Sequence, residues 1–129
     1  MGSEAFTAYL AQLFEYFERQ NQVVFSDSHQ KALIAAVNDD VIHIIQQQLG
    51  LTLLRQEVSL DNCYVTANHA LRDEYKQFIL PSEFFYFLYG TFLGIVSQNL
   101  LRTELRWPEF LPKDGKLFWE CMRFGQKRR

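Results

Sequence analysis

SEFFYFLYGTFLGIVSQNLL, residues Ser82–Leu101, follows the break at Leu80-Pro81 and sets the architecture of everything around it. Phe84 to Leu101 carries no charge, and Phe84, Phe85, Tyr86, Phe87, Tyr89 and Phe92 place six rings on about two and a half helical turns. A helix with rings on so much of its circumference must be covered on most sides. Its strongly apolar part, Phe84–Val96, ends at Ser97-Gln98-Asn99 and falls short of the ~20 apolar residues that span a bilayer, so a core helix is expected and no membrane span. Gly90 and Gly94 lie one above the other on a single helix face, where another backbone could approach closely.

On the N-terminal side, Phe6, Leu10, Leu13, Phe14 and Phe17 recur at the three-and-four spacing of one helical face, so an amphipathic helix is expected from Glu4 to about Gln22. Asp27 and Gln30 read as a capping box that opens a second helix, with Ile34, Val37, Val41, Ile44, Ile45 and Leu49 facing inward and Gly50 ending it in a left-handed cap. Residues 51–58, LTLLRQEV, fit a strand or a helical extension equally well. Asp61-Asn62 marks a turn, and Cys63–Thr66 is β-branched and aromatic enough for a strand, which favours a short hairpin. Leu71, Tyr75, Phe78 and Ile79 suggest a helical turn or two before Pro81.

On the C-terminal side, Leu105 and Trp107 alternate with Glu104 and Arg106, the period of a half-exposed strand, which Pro108 confines to an edge. Asp114-Gly115 suits a tight hairpin turn, and Leu117–Phe124 is expected to pair back. On that strand Phe118, Met122 and Phe124 would share one face and Leu117, Trp119 and Cys121 the other.

A chain of 129 residues is the size of one domain that can bury a core unaided, so residues 1–124 are read as a single globular domain and 125–129 as a basic polar tail. Twelve Phe, six Tyr and two Trp make 16% of the chain, which promises a ring-rich core or interface. Net charge is −2, but residues 113–129 hold six Lys/Arg against two Asp/Glu, leaving seven against thirteen in residues 1–112. Cys63 and Cys121 form neither a disulfide framework nor a metal spacing, and no secretory signal pattern opens the chain, so a reducing, cytoplasmic setting is expected.

No pattern of known chemistry stands out. Asp40 with His43, and His69 with Asp73 and Glu74, have helical spacings that metal sites use, but solvated helix faces explain them as well, and neither metal nor cofactor is expected. His29, His43 and His69 have no Ser or Cys neighbour whose geometry the sequence can argue, and Gly-rich phosphate loops are absent, so no catalytic residue is assigned. Lys113, Lys116, Arg123, Lys127, Arg128 and Arg129 could meet phosphates beside Trp107, Phe118 and Trp119; because the rest of the chain is acidic, nucleic-acid association through the basic C-terminus is only a third reading of the function.

Asp61-Asn62-Cys63-Tyr64-Val65, Phe78-Ile79-Leu80-Pro81, Tyr89–Val96 and Leu117–Phe124 together resemble the small α/β subunits of the TRAPP vesicle-tethering complex and the related hydrocarbon-binding, vinyl reductase-like domains. The resemblance spans about Val58 to Phe124. It implies a non-enzymatic module that pairs through its helices, with a hydrophobic pocket as the family's other use. Only two helices precede the expected hairpin, fewer than the family has, and Cys63 and Cys121 fall on expected strands. The helical acylated cysteine of some members therefore has no counterpart.

The expected fold is α+β, with helices on a small, mostly antiparallel sheet, the aromatic helix 82–101 at its centre and a C-terminal β-hairpin. The expected function is assembly, as a homodimer or a subunit of a larger complex, through Phe6, Leu10, Phe14, Phe17, Gly90 and Gly94. The second reading is a lipid or hydrophobic-ligand pocket lined by Phe84, Phe87, Phe92 and Trp119.

Overall fold

The structure, a computed structural model, describes residues 4–20, 22–55, 77–97 and 106–128. Among them are five helices, α1 (Glu4–Arg19), α2 (Asp27–Ala36), α3 (Asp39–Leu49), α4 (Pro81–Ser97) and α5 (Gly115–Arg128), and two short strands, β1 (Thr52–Leu53) and β2 (Phe78–Ile79). The expected antiparallel sheet with a C-terminal hairpin is therefore corrected to a helical fold. Its strands are two residues each and pair in parallel, Thr52 with Phe78 and Leu53 with Ile79.

The largest correction falls on Leu117–Phe124, which is helix α5 and not a strand. Asp114-Gly115 opens that helix instead of turning a hairpin: the Asp114 carboxylate accepts the Leu117 N–H at 2.9 Å and its carbonyl accepts the Phe118 N–H at 3.3 Å. Phe118, Trp119, Met122 and Gly125 then form one buried stripe at helical spacing. The helix runs on to Arg128, past Phe124 where the sequence set the end of the globular part.

The second expected helix is two. Val37 leaves helical geometry (φ −81°, ψ 115°), and Asn38 caps α3 by accepting the Val41 N–H at 3.0 Å. The cap of α2 is Ser26, one residue before the expected Asp27. Its hydroxyl accepts from the His29 N–H at 3.3 Å, and the His29 ring reaches back to the Ser26 N–H at 3.4 Å. Gly50 ends α3 with φ 70°, a left-handed conformation that glycine adopts without strain.

Helix α4 is the hub. Leu80 caps it with help from Glu83, a buried carboxylate that accepts the Leu80 N–H at 2.8 Å, while Pro81 takes the first helical position, where no N–H is needed. Helix α5 lies along one side of α4, and α1 and α2 contact others. Rings interlock between them: Phe6 stacks on Phe84 at 6.0 Å, Phe14 on Phe92 at 6.1 Å, Phe17 meets Tyr89 at 4.9 Å, and Phe87 stacks on Phe118 at 4.5 Å. Gln48 ties α3 to the turn before α5 by donating to the carbonyls of Leu111 and Pro112, both at 2.8 Å. The expected turn at 61–62, the strand at 63–66 and the strand residue Leu105 lie outside the described residues.

Candidate functional site

Two large apolar side chains break the division between buried and exposed faces on α5. Leu117 and Phe124 are 49% and 40% exposed although the helix has a complete inner face without them. Seven residues apart, they stand in one row on the outer side, since two helical turns bring a side chain back to nearly the same direction. Lys116, Glu120, Lys127 and Arg128 are exposed on the same helix. The Arg128 guanidinium sits 5.4 Å from the centre of the Phe124 ring, a cation over an aromatic face. Val24, on the segment before α2, is the other large apolar residue exposed among the described residues, at 54%.

The residues that the sequence proposed for an interface lie elsewhere. Phe6, Leu10, Phe14 and Phe17 form the inner face of α1 and are buried against the chain's own core. Gly90 is closed over by α5, since a side chain there would run into the main-chain carbonyl of Cys121. Gly125 makes the matching approach from α5, where a Cβ would lie 2.7 Å from the Gly90 nitrogen. At Gly94 a Cβ would have no described atom within 4 Å.

Of the four proposed pocket residues, Phe84 stacks on Phe87 at 5.9 Å, Trp119 meets Phe118 edge-on at 4.9 Å, and Phe92 packs between Phe14 and Phe17. All four are buried. A recess of about 10 Å³, the room of about one water molecule, lies away from them among Leu33, Ile34, Val37, Leu53, Leu54, Arg55 and Pro81.

The reactive side chains are muted by burial. Cys121 is half-buried, with its sulfur 3.4 Å from the Thr91 hydroxyl and 3.6 Å from the Phe87 carbonyl, and desolvation pushes its thiol up, against formation of the thiolate. Burial likewise pushes the Tyr9 phenol well above its ordinary range. The Tyr9 hydroxyl and the Trp107 indole N–H are both buried without a hydrogen-bond partner among the described residues, and both rings flank Phe6. His29 lies against Tyr16 at 4.5 Å and Phe85 at 5.4 Å, and desolvation lowers its pKa despite a bond with the Val24 backbone. Asp40 and His43 are exposed on α3, and no three metal-ligating side chains cluster among the described residues. His69, Asp73, Glu74 and Cys63 lie outside them.

Lys116, Arg123, Lys127 and Arg128 lie on α5 with Lys113 just before it, but Phe118, Trp119 and Trp107, the rings proposed for base stacking, are turned inward. Among the described residues, no helix is long and apolar enough to cross a membrane. Leu117 and Phe124 were hidden from the sequence reading by the strand assignment, which put them on opposite faces. Their helical spacing, set against Phe118, Trp119 and Met122, was the signal that would have found them.

No family model, no curated protein and no solved structure matches this chain.

Proposed function

We propose that the protein is a non-enzymatic interaction module whose docking element is the outer face of α5. The observation that carries this reading is the row of Leu117 and Phe124, two large apolar side chains left in water on a helix that has already buried a complete face. An exposed apolar pair two turns apart is the spacing by which one helix anchors on another. Such a docking helix agrees in kind with the assembly role that the vesicle-tethering resemblance implies, but it stands on Leu117 and Phe124.

The test is site-specific photocrosslinking in the native host. A photoreactive residue replacing Glu120, which lies between the two anchors, is expected to give a discrete adduct that disappears when Phe124→Asp is added. The same residue replacing Gln12, exposed on α1, is expected to give none. Equal adducts from both positions, or no adduct from position 120, would remove the reading.

A further inference from the structure

We infer that the partner of α5 is an acidic amphipathic helix of another protein, a reading that rests on α5 being the docking element. The two anchors sit in a basic frame: Lys113, Lys116, Lys127 and Arg128 are exposed on this segment, against the single carboxylate Glu120 and the capping carboxylate Asp114 at its start. A partner that sets its own apolar residues on Leu117 and Phe124 thus brings its flanks against cations, and Arg128 presents its guanidinium at the rim of the Phe124 anchor. Acidic flanks are attracted and basic flanks repelled at the same contact.

Two other occupants fit less well. A second copy pairing α5 with α5 antiparallel, Leu117 over Phe124 and the reverse, would set the two Glu120 side chains near the middle of the contact and would leave Lys116, Lys127 and Arg128 of each copy without a matching row of carboxylates on the other helix. Like charges would meet at the centre and the cations would stay unmatched. An anionic bilayer would satisfy the cations, but helices that lie in a membrane surface need a broad apolar sector, and α5 offers a row of two side chains, each about half-covered. A narrow row with charged borders is the form of helix-on-helix recognition.

The experiment selects displayed helical peptides against the immobilised full-length chain and measures the enriched ones by fluorescence anisotropy. Enriched peptides are expected to be acidic, to carry apolar residues at helical spacing, and to weaken at least about tenfold on the Leu117→Asp/Phe124→Asp chain. They are also expected to weaken several-fold on the Lys116→Glu/Lys127→Glu chain, and as salt rises from about 50 to about 200 mM. Both variants change exposed residues, and circular dichroism checks that they fold; if one fails, the other carries the comparison.

Neutral or basic peptides that still depend on Leu117 and Phe124 would overturn the acidic partner and leave the docking face standing. Peptides indifferent to the Leu117→Asp/Phe124→Asp chain, or no enrichment, would overturn both. Binding to vesicles of phosphatidylcholine and phosphatidylserine that Phe124→Asp abolishes would replace the helix by a membrane. A dimer in light scattering that Phe124→Asp dissociates would replace it by a second copy.

Discussion

Gly90 and Gly125 lack a side chain where α4 and α5 lie closest, and in each case a Cβ would land on backbone that has no rotamer to yield. Gly90→Ala would meet the Cys121 carbonyl, so the helices must separate. The expected cost is toward the upper end of the overpacking range of about 1–3 kcal/mol. Gly94→Ala meets none of the described atoms within 4 Å and should stabilise by up to about 0.5–1 kcal/mol, the gain of alanine over glycine within a helix. Urea titration of both variants checks this contrast, which opposite signs would bear out. The buried Tyr9 hydroxyl gives a third case: Tyr9→Phe removes a group that has lost water and has no partner among the described residues, so stability should rise by about 1 kcal/mol in the same titration. His29 adds a dependence on pH. Burial lowers its pKa below the ordinary 6.5, so as pH falls the unfolded chain takes up the proton first. The stabilising contribution of neutral His29 is therefore complete above pH 6.5 and is lost as pH falls from there through the folded-state pKa. His29→Gln keeps a side chain able to complete the Ser26 cap but cannot titrate. Melting curves between about pH 5.5 and 7.5 should slope less in that variant than in the wild type.

Helix α5 has two faces with different duties, and substitution separates them. Phe118→Ala empties a fully buried site beside Phe87 and Trp119 and should cost about 3–5 kcal/mol. Phe124→Ala, at an exposed site, should change stability by no more than about 0.5 kcal/mol. Thermal unfolding of the two variants tests the assignment, and comparable losses would mean that Phe124 belongs to the core. The same helix shows where the sequence was legible and where it was not. In α1 the polar and apolar residues separate at one period only, so Phe6, Leu10, Leu13, Phe14 and Phe17 announced both the helix and its buried face. In Leu117–Phe124 apolar residues fall on both sides of a two-residue alternation, which suits a covered strand, while the charges at Lys116, Glu120 and Lys127 follow the helical turn. Asp-Gly did not arbitrate, because the same dipeptide can turn a hairpin or cap a helix. The break at Val37-Asn38 was masked in a similar way, since Val41 and Ile45 continue the apolar face of α2 across it. Nor could local pattern show that Thr52–Leu53 pairs with Phe78–Ile79, because parallel pairing joins segments far apart in sequence. The candidate docking row was lost with the strand assignment and returned with the helix.

At the scale of the molecule, one hydrophobic cluster among the described residues joins α1, α2, α3, β1, β2, α4 and α5, with Trp107 and Trp119 both inside it. Helix α4 is surrounded by this cluster, so it cannot keep its rings dry if α1 or α5 leaves. Elements that share one core lose their stabilisation together, and small domains of this kind unfold in a single step. Trp119 is carried by α5 and Trp107 lies against Phe6 of α1, so the two indoles report on different helices of the core. Tryptophan fluorescence and far-ultraviolet circular dichroism are therefore expected to give superimposable urea transitions. The same should hold when Trp107→Phe or Trp119→Phe leaves a single reporter. A Trp119 signal that changes at lower urea than the ellipticity would mean that α5 undocks while the other helices stay folded. In that case the inner row of Phe118, Trp119 and Met122 would become accessible together with Leu117 and Phe124, and the docking surface would be the whole of α5 instead of its outer face.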